Sequence, residues 1–280
     1  LKTSRQTLIF GGGTGANRAK GLREAREKFS FRVVRLPAVS IVTVTCDGYF
    51  FVRLLVEKVR EFTGDRDYEI VAVDRGSRDG ALEWLHAQGD VRVLPRRQWR
   101  ERHGHAEAAE AGARAARHER IVLLDSDAHP VAGSWLTESS DKLDADRRLA
   151  GAVFRDSHRG NPHGWYVHPH FMSFLKADLG GLVILRKLRG HDTDTGEEAT
   201  LRVLAAGLEV VGHPIEFCAR FAVGHDRVPT IAGGVFHAWY VTRLARDAGG
   251  VARETGGAVT PQTYLEPLQA KLREAYGLEY

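Results

Sequence analysis

Apolar residues in the first half of the chain fall in short β-branched runs separated by amphipathic stretches. Val39-Ser40-Ile41-Val42-Thr43-Val44-Thr45 is a strand by propensity. Residues 50–62 then carry apolar side chains at helical spacing. Tyr68-Glu69-Ile70-Val71-Ala72-Val73-Asp74 predicts a second strand, 79–88 a second helix and Val91 to Leu94 a third strand. An alanine-rich helix is expected over 104–118, and Ile121-Val122-Leu123-Leu124 predicts a strand that ends at Asp125. Strands alternating with helices imply an α/β fold: a Rossmann-like, mainly parallel sheet with right-handed crossovers, flanked by helices in a single main domain.

The second half is less regular. Residues 150–154 read as a strand and 155–171 as a loop rich in Gly, Pro, His and aromatics. A helix over 197–206 is stopped by Gly207, and 208–211 reads as a short strand. Residues 234–248 read as a helix broken by Gly249-Gly250, and 261–276 as a final helix. Residues 1–37 read as an N-terminal extension, 38–250 as the main domain and 251–280 as a C-terminal helical tail.

Composition narrows the class. The 280 residues are 43% hydrophobic and 27% charged, as in ordinary globular proteins. A net charge of +4 suits anionic ligands such as nucleotides, but no dense Lys/Arg block points to a nucleic-acid partner. Cys46 and Cys218 form neither a disulfide framework nor a zinc spacing. With no apolar run long enough for a transmembrane segment and no signal-peptide pattern at Leu1-Lys2-Thr3-Ser4-Arg5, a cytoplasmic location is the simplest expectation.

Chemistry concentrates at Asp125-Ser126-Asp127. Residues i and i+2 of an extended chain project to one side, so both carboxylates face one spot at the carboxyl end of a strand. Open α/β sheets bind ligands there. Adjacent carboxylates repel unless a cation lies between them, and hard oxygen ligands favour Mg²⁺ or Mn²⁺. A solvated turn is the plain alternative.

Other strand ends extend the pattern. Thr45-Cys46-Asp47 ends the first strand, and Val73-Asp74-Arg75-Gly76-Ser77-Arg78-Asp79-Gly80 the second. Gly104, Ala108 and Gly112 recur along the alanine-rich helix, Pro130 follows the aspartate pair, and Gly196-Glu197-Glu198 opens a later helix with Leu201-Arg202 and Ala206-Gly207. Five such segments in this order resemble family 2 glycosyltransferases of the GT-A fold, over roughly residues 38–245. The chain departs from that family's pattern at Cys46 and Asp47, where the family has Tyr-Asn, and at Arg102 and Glu110, where the family has asparagines. Glu198 also stands where aspartate is common.

The resemblance implies an inverting, metal-dependent transfer of a sugar from a nucleotide-diphosphate sugar, a UDP-sugar by default, to an acceptor hydroxyl. It divides the main domain into a nucleotide-binding half, 38–130, and an acceptor and catalytic half, 131–250. Thr45, Cys46, Asp47, Asp74, Arg102, Asp125 and Ser126 are then nucleotide-sugar-binding candidates. Asp127 is the direct metal ligand, with Asp125 turned to the ribose or ordered water and also counted among the metal candidates, and the cofactor is Mn²⁺ or Mg²⁺. A late histidine completes the site, either His237 or His225. The general base falls to Glu198, with Glu197 as its rival. Two acids in a first helical turn also suit the macrodipole without any catalytic role, and Asp79 suits an N-cap better than a ligand.

His191-Asp192-Thr193-Asp194 reads as a polar loop near the acceptor mouth, or else a second metal site. His158, Arg159, His163, Trp165, Tyr166, His168 and His170 suit stacking on sugars or binding an anionic acceptor, or else form a surface loop. A saccharide, a natural-product aglycone and a peptide all remain open as acceptors, as does a homodimer. Two rival functions stand beside the transferase. Gly11-Gly12-Gly13-Thr14-Gly15-Ala16-Asn17-Arg18-Ala19-Lys20 resembles the glycine-rich loop of sugar nucleotidylyltransferases, although there the loop follows the first core strand. The departures at Cys46 and Arg102 suit a binding protein that has kept the fold and lost turnover.

Overall fold

The computed structural model describes residues 36–94, 104–155, 161–185, 194–223, 228–257 and 259–280. The glycine-rich extension, Arg102, His158, Arg159, His191, Asp192 and His225 lie outside these residues.

The elements run β1 Val39–Thr45, α1 Tyr49–Thr63, β2 Tyr68–Asp74, α2 Ala81–His86, β3 Val91–Leu94, α3 His105–Ala115, β4 Arg120–Asp125 and β5 Ala128–Pro130. Then follow β6 Arg147–Phe154, β7 Tyr166–Leu175, α4 Glu197–Ala205, β8 Glu209–Pro214 and β9 Glu216–Phe217. The chain ends with β10 Thr230–Ala232, β11 Val235–His237, α5 Val241–Glu254 and α6 Glu266–Tyr276. The seven-stranded sheet has the order β3-β2-β1-β4-β7-β6-β8. Its first four strands are mutually parallel, and β7 runs antiparallel to both β4 and β6. A second, antiparallel ribbon has the order β5-β11-β10-β9.

Strand alternation sorts the side chains between two cores. Val39 and Ile41 of β1 and Ile70 and Ala72 of β2 face α1 and α2, together with Leu55, Val59 and Leu85. Val42, Val44, Val71 and Val73 face α3, where Ala108, Ala109 and Ala113 let the helix lie close to the sheet. Gly112 lies closest: a Cβ there would come within 2.4 Å of Val42 Cγ1. A third cluster joins Phe51 and Leu54 of α1, Phe236 of β11, and Tyr264, Leu268 and Leu272. Through it residues 251–280 pack into the same compact unit as the sheet.

Two readings of the second half are corrected. The expected loop over 155–171 contains most of β7, whose histidines interrupt the apolar pattern: His168 faces a cavity and His170 stacks on His237. Pro169 lies in a bulge where Gly151 pairs with Met172 and Val153 next pairs with Val167, so its missing N–H costs no ladder bond. The expected helix from residue 234 is a hairpin, β10–β11, followed by α5. Gly233 and Gly234 supply its turn with φ of 53° and 79°, and the apolar run after them pairs with β5, remote in sequence. α5 continues past Gly249-Gly250, with its break at Asp247. Among the described residues no helix is long and apolar enough to cross a membrane.

Candidate active site and metal centre

A cavity of about 700 Å³ opens at the carboxyl ends of β1 and β4. Asp125, the last residue of β4, shares the sheet face of Leu123 and projects into it. The turn to β5 carries Ser126 and Asp127, both buried and both on the cavity wall. In the ribbon, His237 pairs with Ala128, and the Ala238 N–H donates to the Asp127 carbonyl at 3.0 Å. This register brings His237 Nε2 to 3.3 Å from Asp127 Oδ1 and 3.9 Å from Asp125 Oδ2.

One ligand atom from each of Asp125, Asp127 and His237 lies within 4.8 Å of the others. Two carboxylates and an imidazole suit a hard or borderline divalent cation. The His237 Nδ1 atom is buried without a hydrogen-bond partner among the described residues. Its ring stacks on His170 with centroids 4.2 Å apart and packs against Trp239 at 4.3 Å. The residues therefore fit such an ion.

The electrostatics single out Asp125. Burial opposes its charge, but His105, 3.1 Å away, and then His237 and His168 hold its carboxyl well below the usual range. His105 is also disfavoured as a cation by burial, yet the charge and hydrogen bond of Asp125 raise its pKa. His168 loses more to burial than Asp125 and Asp194 return, and falls to about 4. His170, enclosed beside His237 and His168, is pushed well below its ordinary value. The neutral imidazoles His168 and His170 are linked by an Nδ1–Nδ1 hydrogen bond of 2.9 Å.

The remaining site candidates divide by strand parity. Cys46 shares the Val44 face and lines the cavity. Thr45 and Asp74 point to the opposite face, and neither lines the cavity. The Asp74 carboxylate closes its own turn, accepting from the Gly76 N–H at 2.8 Å, the Ser77 N–H at 3.1 Å and the Ser77 hydroxyl. Asp47, at φ 61°, accepts from the Arg78 N–H at 2.7 Å and so ties the two loops together. Gly80 holds the N-cap position of α2, but Asp79 Oδ1 still accepts from the Ala81 N–H at its first residue, at 3.2 Å, while Oδ2 accepts from the Gly48 and Tyr49 N–H groups at the start of α1.

Neither glutamate of α4 reaches the cavity wall. Glu197 is fully buried, accepting from Asn161 Nδ2 at 2.7 Å and from the Asp194 N–H at 2.9 Å. Glu198 Oε1 accepts from Arg202 Nε at 2.6 Å. Of the aromatic and histidine candidates, Tyr166 and His168 line the cavity, whereas His163 and Trp165 pack on each other. Sequence reasoning missed Arg75, His105, Trp239, Tyr240 and Arg243 on the wall. Only His105 left a local signal, as the histidine that opens an alanine-rich helix just after Gly104.

Several solved structures are similar to this chain. The mannosyltransferase PcManGT from Pyrobaculum calidifontis, solved with GDP-Man and Mn²⁺, superposes with a TM-score of 0.51 at 18% identity, covering 93% of this chain and 77% of its own. Glucosyl-3-phosphoglycerate synthase from Mycobacterium tuberculosis, solved with phosphoglyceric acid, gives 0.45 at 15% identity over 63% of this chain and 70% of its own. GalNAc-T7 with UDP, GalNAc and Mn²⁺ gives 0.47 at 15% identity over 65% of this chain and 44% of its own. No curated protein matches in sequence. The first of these likenesses carries the fold, a GT-A-type α/β sheet. The sequence pattern of Glycosyl transferase family 2 matches residues 40–201, more than half of the chain, so the protein belongs to that family and is a glycosyltransferase.

Proposed function

We propose that this glycosyltransferase is an inverting, metal-dependent enzyme that moves a sugar from a nucleotide-diphosphate sugar, a UDP-sugar in the first instance, to an acceptor hydroxyl. The observation that carries the reading is the Asp125–Asp127–His237 group on the wall of a cavity large enough for a nucleotide sugar. The imidazole favours Mn²⁺ over Mg²⁺ in this donor set. When bound, the ion supplies Lewis-acid charge that holds the diphosphate and neutralises the leaving nucleotide.

The chain's own residues do the rest. Ser126 and Cys46, both on the cavity wall, are the contacts offered to the nucleotide. The packed rings of His237, Trp239 and His168 make a stiff wall that offers aromatic faces to a sugar and keeps bulk water from it. A carboxylate on the cavity wall takes the acceptor proton as the acceptor oxygen attacks the anomeric carbon in a single displacement.

The test is a panel of nucleotide sugars incubated with the full chain and Mn²⁺, scored for nucleotide release with and without simple saccharide acceptors. Release from one donor class, abolished by EDTA, is the expected result. No release and no metal-dependent thermal shift with any donor would overturn the proposal.

A further inference from the structure

We infer that Asp194, not either glutamate of α4, is the general base of the transfer, and that Glu197 positions it. This rests on the transferase reading and sharpens it at one residue.

A base must come within hydrogen-bond reach of the proton it removes, so it must stand on the cavity wall. Asp194 and its neighbour Thr195 line the cavity. Glu197 and Glu198 do not, and each is engaged elsewhere: Glu197 with Asn161 and the Asp194 backbone, Glu198 with Arg202.

The Asp194 carboxylate is held from two sides. Oδ1 accepts from the Thr195 N–H at 2.8 Å, and Oδ2 from the Tyr166 hydroxyl at 3.1 Å. The backbone is clamped as well. Glu197 Oε2 accepts from the Asp194 N–H at 2.9 Å, and the Glu197 N–H donates to the Asp194 carbonyl at 3.1 Å. Asn161 anchors the other Glu197 oxygen, so the buried glutamate fixes the aspartate without facing substrate.

Position relative to the metal group follows from His168. Its ring lies 6.0 Å from that of Tyr166, which holds Asp194, and 6.3 Å from that of His237, so one side chain of β7 packs on both. Gly196 sets how closely the segment approaches β7: it adopts φ 88°, and a Cβ there would meet the Val167 carbonyl at 2.4 Å.

In the step itself, the acceptor hydroxyl proton passes to an Asp194 oxygen as the acceptor oxygen's lone pair forms a bond to the anomeric carbon. The bond from that carbon to the diphosphate oxygen breaks, and its electron pair leaves with the nucleoside diphosphate. Water in place of the acceptor gives donor hydrolysis by the same step.

The experiment uses the full chain with Mn²⁺ and the donor that the wild type consumes in the panel. Asp194→Asn keeps an oxygen for the Thr195 N–H and an amide for the Tyr166 hydroxyl. It should cut nucleotide release roughly 10²–10⁴-fold. Binding of UDP with Mn²⁺ by calorimetry should stay within about threefold, which separates the loss from misfolding and from donor binding. Glu198→Gln, which removes the rival carboxylate, should retain release within about tenfold. Sodium formate should restore part of the release in Asp194→Ala, an effect that a merely structural aspartate would not give. An active wild type with an active Asp194→Asn, or with Glu198→Gln as impaired as Asp194→Asn, overturns the assignment alone. A wild type that consumes no donor overturns the transferase reading and the assignment with it.

Discussion

Acid should loosen the ribbon that carries His237, and one histidine makes the effect measurable. His129 lies on β5, two residues after Asp127, and pairs with Phe236 beside His237. It is 1% exposed, packs on the Phe236 ring at 4.8 Å and shares a 3.2 Å hydrogen bond between its Nε2 and the Tyr276 hydroxyl of α6. Burial first, and then the nearby Lys58 charge, lower its pKa to about 3. The unfolded chain takes up a proton here below about pH 6.5, and the folded chain does not until the pH approaches 3. Between those values the unfolded state binds more protons, so stability falls as the pH falls. One such group costs about 1.4 kcal/mol per pH unit within the window, hence about 2 kcal/mol at pH 5 relative to pH 7.5.

The perturbation is His129→Gln, which keeps a hydrogen-bonding partner for Tyr276 but does not titrate. Melting is followed at pH 7.5 and pH 5.0 in EDTA, so that no bound metal contributes. At pH 7.5 the variant should melt below the wild type, having lost ring packing. On moving to pH 5.0 it should gain about 2 kcal/mol relative to the wild type, or about 4–8 °C for a chain of this size. A difference between the two proteins that does not change with pH would refute the argument, because it would mean that His129 is protonated equally in both states.

Asp127→Asn removes a charged member of the Asp125–Asp127–His237 group. Wild type at UDP and Mn²⁺ near 100 times the dissociation constant should gain about 2.7 kcal/mol and melt several degrees higher; the variant should lose that shift, and an equal shift in both would remove Asp127 from the metal group. Gly112→Ala adds a methyl group 2.4 Å from Val42 Cγ1 and 3.0 Å from Val73 Cγ2, between α3 and the sheet. It should lower stability by about 1–3 kcal/mol in urea titration, and an unchanged midpoint would show that α3 can lift without cost.

The nucleotide-binding half was legible because its strands obey a local rule. Strands buried on both faces are continuous apolar runs, and β1, β2 and β3 begin and end at the residues expected of them. The paired aspartates were legible for the same reason, since strand parity sets their direction. Parity also separates Asp125 from Asp74 and Thr45, but only once the face of the cavity is known, which depends on the position of α3. The elements that were missed depend on partners far along the chain. β7 is held by β4 and β6, and β11 by β5, so neither needs the periodicity that would announce it. His237 reaches Asp127 through that last pairing, across more than a hundred residues.

β7 also links the proposed metal group to the proposed base. It runs antiparallel to β4, so its first residues pass the carboxyl end of β4, where Asp125 lies. Between the pairs Gly151–Met172 and Val153–Val167 the strand bulges by several residues, among them His168, Pro169 and His170. Gly151 adopts φ 148° there, and a Cβ would meet the Phe171 carbonyl at 2.1 Å, so the bulge needs that glycine. The His170 N–H, freed from the ladder, donates to His168 Nδ1 at 3.2 Å. The bulge thus packs the His168 ring 6.0 Å from that of Tyr166 and 6.3 Å from that of His237, and stacks His170 on His237. Tyr166, where pairing with β6 resumes, holds Asp194. One strand therefore touches both ends of the proposed site: Tyr166 holds Asp194, and His170 backs His237.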